Sequence, residues 1–206
     1  MKILAVSDRR LPQLTNVEFL RRQYGGVDVL VSCGERDAVY LDLIASVLFV
    51  PMFYVRGNHD TRYTSRSPGG VDLHHRVVDY NGVILVGLEG SIDYNRKGVQ
   101  YSEATMTASV LRLMPMLLWH RARQGYGADF VVAHSPPRNV NDRSDHAHRG
   151  FRAFRWLLRW AVPRYLIHGH IDLNDRRVAR ETVFAKTRVV NINPVMVLDT
   201  DTLFAN

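Results

Sequence analysis

The chain has 206 residues, 46% of them hydrophobic and 23% charged, which suffices for the core of one α/β domain spanning 1–206 and leaves no room for a second. Twenty-seven basic side chains against twenty acidic ones give a formal charge of +7, which suits an anionic partner without choosing one. No run of 18 apolar residues exists to span a membrane, and the four apolar residues after Met1-Lys2 are too few for a signal-peptide core, so the expectation is a cytoplasmic protein with no membrane partner.

Strands are predicted near 2–7, 27–32, 51–55, 75–79, 83–88, 129–133, 165–168, 188–192 and 195–199, and helices near 14–24, 37–48, 102–124 and 148–161. Early strands alternate with helices, which argues for a parallel sheet. The pairs 75–79/83–88 and 188–192/195–199, joined at Asn81-Gly82 and Asn193-Pro194, read as antiparallel hairpins. Two mixed sheets flanked by helices follow. Residues 62–70, rich in Ser, Pro and Gly, are the expected mobile loop. In the longest helix Leu111, Met114, Leu117, Leu118 and Trp119 read as a core stripe, with Pro115 expected to kink or interrupt it. Arg152, Arg155 and Arg159 recur at helical spacing, which reads as a solvated face, with nucleic-acid contact as the alternative. The single cysteine, Cys33, excludes an internal disulfide and reads as a core thiol.

The chemistry concentrates where strands stop. Val55-Arg56-Gly57-Asn58-His59-Asp60 delivers three polar side chains at a strand's carboxyl end, where open α/β sheets keep their ligands. Gly57 permits a tight turn, Asn58 offers a neutral carbonyl ligand, and His59 can donate a proton if a neighbour such as Asp60 holds its ring. Other strands end on Asp8, Glu35, His134 and the run His168-Gly169-His170-Ile171-Asp172. Parallel strands would place five such termini along one sheet edge, where mixed nitrogen and oxygen ligands suit Mn, Fe or Zn. Arg149, in the loop beyond His134 with His146 and His148, is placed to reach a phosphate over that edge.

In these motifs, in order from residue 3 to about 200, the chain resembles the calcineurin-like metallophosphoesterase family. That family's pattern runs Asp-x-His, Gly-Asp-x-x-(Asp), Gly-Asn-His-(Asp/Glu), a strand-terminal His, then Gly-His-x-His. Gly57-Asn58-His59-Asp60, His134 and Gly169-His170 match; Arg10, Glu35 and Asp172 stand where the pattern has His, Asp and His. The resemblance implies a four-layer α-β-β-α sandwich and hydrolysis of a phosphomonoester or phosphodiester by a metal-activated hydroxide. One metal would be held by Glu35, Asn58, His134 and His170, and His59, backed by Asp60, would act as general acid. The other metal would be left with Asp8, Glu35 and Asp172, a hard oxygen set favouring Mn or Mg, because guanidinium has no lone pair to give. Alternatively Arg10 occupies that position itself, pairing with Asp8 and Asp172 and clamping a phosphate oxygen. One or two divalent ions are therefore expected, Mn first and Fe, Zn or Mg as alternatives. Arg10, Asn58 and Arg149 are the expected substrate contacts. The competing class is a degenerate member that binds an anionic ligand, a protein or nucleic acid without useful turnover.

Overall fold

The computed structural model of the chain describes residues 1–173 and 180–205. In chain order the elements are β1 (Lys2–Val6), α1 (Val17–Tyr24), β2 (Val29–Ser32), α2 (Ala38–Leu48), β3 (Met52–Tyr54), β4 (Val71–Asp72), β5 (Val77–Tyr80), β6 (Val83–Leu88), β7 (Ser91–Ile92) and β8 (Gln100–Tyr101). Then come α3 (Glu103–Gln124), β9 (Phe130–Ala133), α4 (Arg152–Ala161), β10 (Tyr165–His168), β11 (Glu181–Phe184), β12 (Thr187–Asn191), β13 (Val195–Asp199) and α5 (Thr200–Leu203), with 3-10 turns at Pro12–Thr15 and Thr61–Thr64.

Two mixed sheets form, ordered β13-β1-β2-β3-β4 and β11-β12-β10-β9-β6-β5, with β7-β8 as a small pair. Strands buried on both faces divide their side chains between two cores, as a period of two requires. Ile3 and Ala5 of β1 join Val31, Phe53, Val132 and Ile167 in the layer between the sheets. Leu4 and Val6 point the other way, onto Leu20, Leu41 and Ile44 of α1 and α2. On the far side of the second sheet, Val86, Val131 and Leu166 meet Met106, Val110 and Leu117 of α3 and Phe154, Leu157 and Leu158 of α4. Three clusters between four layers confirm the α-β-β-α sandwich.

Several local expectations change. The strand at 195–199 does not fold back on 188–192: β13 pairs antiparallel with β1 in the first sheet, while β12 lies parallel to β10 in the second. The turn at Asn193-Pro194, a cis peptide, therefore carries the chain across the sandwich. β12's antiparallel partner is β11, an edge strand not anticipated because its exposed and half-buried positions alternate without an apolar run. The hairpin of β5 and β6 around Asn81-Gly82 is as expected. α3 continues without a break past Pro115, which is exposed, and its core stripe is narrower than predicted: Met114 and Leu117 are buried, whereas Leu111, Leu118 and Trp119 are exposed. The 3-10 turn at Thr61–Thr64 takes up the start of the predicted loop, and β4 joins the sheet directly after its end. Cys33 is a buried free thiol in the layer between the sheets. No helix among the described residues is long and apolar enough to cross a membrane.

The sheets are tied together at the end where β1, β2, β3, β9 and β10 finish. Glu89, after β6, is fully buried and takes a bidentate contact from Arg56, after β3, at 2.7 Å from Nε and 2.6 Å from Nη2. The Tyr101 hydroxyl donates to the same carboxylate, and His74 Nε2 stands 3.6 Å away. Although burial opposes its charge, the hydrogen bonds from Arg56 hold the Glu89 carboxyl below its ordinary pKa. Arg56→Met should destabilise the protein by ~3 kcal/mol, because it strands a buried charge, and adding Glu89→Leu should recover much of that loss. Urea unfolding of the two variants checks this, and a second substitution that deepens the loss would contradict it.

Candidate metal centre

The predicted strand ends come from two sheets that face each other, not from one sheet edge. β1, β2 and β3 run parallel with Val6, Ser32 and Tyr54 in register, so the segments that follow carry Asp8, Glu35 and Asn58 out together. β9 and β10 do the same for His134 and His170 from the second sheet. Each edge is continued within its own sheet, by Gly169 N–H donating to the His134 carbonyl at 3.0 Å in the second and Ser7 N–H donating to the Pro194 carbonyl at 3.1 Å in the first. The absence of a side chain at Gly169 makes room for Ser7 Oγ and the Asp8 carboxylate, which a Cβ there would displace. Asp8, Glu35 and His170 all adopt positive φ, at 53°, 59° and 64°, a conformation costing ~1 kcal/mol or more per residue unless contacts enforce it. Those contacts are present: the Asp8 carboxylate accepts from His170 N–H at 2.9 and 3.0 Å, and Asp60 Oδ2 accepts from Glu35 N–H and Gly57 N–H at 2.7 Å each.

Glu35, His134 and His170 bring one donor atom each within 4.8 Å of one another. His134 is fully buried, its Nδ1 2.8 Å from the Cys33 carbonyl and its Nε2 2.8 Å from Asn58 Oδ1. A carbonyl can only accept, so the Nδ1 proton belongs on that bond and Nε2 presents a lone pair to another lone pair on Asn58. Two lone pairs facing at that distance suit ligands of one cation. The Asn58 amide is oriented by its Nδ2 donating to Tyr94 Oη at 3.2 Å. His170 repeats the arrangement, with Nε2 2.8 Å from the Ala147 carbonyl and Nδ1 left free for an ion. Burial keeps both imidazoles neutral, lowering the pKa of His134 to about 4 and that of His170 to about 3. Burial, with Asp8 and Asp60 nearby, pushes Glu35 up to about 8. Two nitrogens, an amide oxygen and a carboxylate fit a divalent ion.

The remaining predicted residues are placed as follows. Asp8 and Asp172 line the same cavity, of about 370 Å³, with Arg9, Glu35, Asn58, His59, Tyr94, His148 and His170. Asp172 Oδ1 accepts from Asn193 Nδ2 at 2.9 Å, and Asp8 also accepts from Ser7 Oγ. His59 is exposed, and the carboxylate beside its ring is Glu35, with Nε2 3.7 Å from Oε1; Asp60 is instead engaged with the backbone of Gly57 and Glu35. Arg10 is not brought between Asp8 and Asp172. Its guanidinium lies 5.2 Å from the Tyr40 ring and 3.9 Å from Asp37, lining an adjoining cavity of about 630 Å³ that shares Glu35 and His59. Arg149 Nη2 donates to the Ser144 carbonyl at 3.4 Å, and the loop turns His148 into the pocket.

The cation among the carboxylates is Arg36, which the motif reading passed over. It is 6% exposed, Nε and Nη2 lack hydrogen-bond partners, and Asp8, Glu35 and Asp60 all favour its charge. Burial nevertheless holds its pKa below the ordinary arginine range. Arg9, Tyr94 and His148 were also missed; only the neighbourhood of Arg9 to Asp8, and of His148 to Arg149, marked them in the sequence.

The sequence profile of the calcineurin-like phosphoesterase family matches residues 1–172, and the chain belongs to that family. Among curated proteins nothing matches. Among solved structures the chain is similar to the TT1561 protein of Thermus thermophilus, at 15% identity and TM-score 0.67 over 98% of this chain and 95% of that one. A novel archaeal phosphodiesterase aligns at 12% identity and TM-score 0.46 over 98% and 95%, and Vps29 of Entamoeba histolytica at 13% and 0.44 over 97% and 86%. The likeness to the TT1561 protein is one of fold.

Because Glu35 must lose a proton to hold a cation while both histidines are already neutral, metal affinity should rise about tenfold per pH unit up to about pH 8 and then level. Calorimetric titration with Mn from pH 6 to 9 checks this, with Glu35→Gln expected to bind weakly and with little pH dependence.

Proposed function

We propose that the protein is a metal-dependent hydrolase of phosphoesters, carrying one divalent ion on Glu35, Asn58, His134 and His170. The observation behind this reading is that both imidazoles spend one nitrogen on a backbone carbonyl, which leaves the other nitrogen available beside Glu35 and Asn58. An ion held there neutralises phosphoryl charge and acidifies a water molecule. Asn58 and Arg9 orient the phosphoryl oxygens from the wall of the cavity, and Arg10, in the adjoining cavity, meets a negative group farther along the substrate. His59, on the wall common to both cavities, protonates the departing alkoxide. Asp60 positions Glu35 and the Gly57 turn, and so supports His59 only indirectly.

A second ion is disfavoured. Of the carboxylates left for it, Asp8 is engaged by Ser7 Oγ and the His170 amide and lies under the buried charge of Arg36, and Asp172 accepts from Asn193 Nδ2. Mn serves such a mixed nitrogen and oxygen set well, with Fe, Zn and Mg as competitors. The degenerate binder is the second reading, favoured by that same loss of the other position. Metal analysis after equilibration with excess Mn should give one ion per chain, and His170→Ala should abolish it with the fold intact; two ions would contradict the assignment.

Turnover separates the two readings. With generic phosphomonoesters and phosphodiesters, His59→Ala should retain metal and lose ~10²-fold or more in kcat. Wild-type protein loaded with metal yet inert on both ester classes would leave the binder.

A further inference from the structure

α3 and α4 together carry one acidic residue, Glu103, whose Oε1 accepts from Ala153 N–H. Arginines crowd the same layer. A separate cavity of about 280 Å³ is lined by Arg138, Asn139, Arg152, Arg155, Trp156 and Arg159. Arg155 Nη1 donates to the Arg138 carbonyl at 3.0 Å, and Arg155 and Arg159 stand 4.8 and 5.3 Å from the Phe184 ring centroid. Among the described residues, none of these four arginines has a carboxylate within 4.0 Å. Asp142 and Glu103 act on Arg138 only from beyond ion-pair contact, and like charges held together in this way favour an anion from solution. Beside the cavity, Trp156 and Trp160 are 43% and 50% exposed, with ring planes 16° apart and centroids 6.3 Å apart. The loop that supplies Arg138 continues through His148, which faces the metal cavity, to Arg149 and then Arg152 at the start of α4.

We infer that this arginine and tryptophan face of α4 binds single-stranded nucleic acid, the phosphates lying on Arg138, Arg152, Arg155 and Arg159 and a base stacking on Trp156. The strand's backbone runs along the loop toward the metal cavity, so that its phosphodiester is the substrate class; this part rests on the phosphoesterase reading. A lipid surface is the weaker fit, because the arginines line a concavity that a flexible strand enters and a flat bilayer does not. The exposed apolar side chains of α3, including Leu111 and Leu118, nevertheless make an anionic membrane the competitor to be tested.

The experiment is fluorescence anisotropy of a labelled oligothymidylate with the full chain in EDTA, where hydrolysis cannot enter. Binding is expected, with a slope of about −3 in log affinity against log salt for four phosphate contacts. Arg152→Glu combined with Arg159→Glu should weaken binding at least ~10-fold and flatten the slope, and Trp156→Ala should weaken it ~10-fold with the slope kept. The inference is overturned by no binding at low salt, by unchanged binding in the charge-reversed variant, or by capture on phosphatidylglycerol vesicles without affinity for the oligonucleotide. Its failure is separable from that of the phosphoesterase reading. A chain that binds the strand in EDTA but hydrolyses no ester with Mn keeps the surface and loses the hydrolase. One that hydrolyses small diesters but ignores the strand does the reverse.

Discussion

The imidazole of His134 bridges two sheets, and the geometry of the site depends on that crossing. It leaves β9 in one sheet and ends between the Cys33 carbonyl after β2 and the Asn58 amide after β3, both in the other. Since the Cys33 carbonyl can only accept a hydrogen bond, one contact sets the tautomer, the ring plane and the direction of the remaining lone pair. Glu35, two residues beyond Cys33, is thereby held opposite a nitrogen that belongs to a different layer of the fold.

Around this bridge the protein balances charge inside a poorly solvated volume. Asp8, Glu35 and Asp60 are gathered where burial raises the pKa of each. Arg36 offsets part of that cost from within, and an ion held in the cavity would offset more of it. The same logic appears without a metal at Glu89, where Arg56 and Tyr101 satisfy a carboxylate with no access to water. One cluster can exchange its countercharge with solvent and the other cannot, which is the difference between a candidate site and a structural clamp.

Much of this was legible in the sequence because it rests on short-range patterns. Apolar runs halted by Asp8, Glu35, Asn58, His134 and His170 marked both the strands and the donors, and their spacing carried the family likeness. What the pattern could not supply was direction. Arg10 and Arg36 are both arginines near strand-end carboxylates, yet Arg10 turns onto Tyr40 and Arg36 turns inward, a choice made by tertiary packing. Asp60 adjoins His59 in sequence but faces the backbone of a different loop. The destination of 195–199 was lost for a related reason: a tight turn reads as a hairpin unless the distant strand β1 is known to be waiting with an open edge. On α3, Leu111, Leu118 and Trp119 satisfied a hydrophobicity rule while lying outside the arc that α4 and the sheet cover.

The left-handed backbone at Asp8, Glu35 and His170 bears on how the centre is loaded. These conformations are enforced by hydrogen bonds from within the protein, Asp8 to the His170 amide and Asp60 to the Glu35 amide, which restrict the local freedom of the segments carrying the candidate ligands. Capture of an ion there would resemble insertion into a rigid chelator more than the closing of a flexible one. Its speed would then be governed by how fast the incoming ion sheds its own water, and an ion that exchanges water slowly would be disadvantaged kinetically even where it binds more tightly at equilibrium.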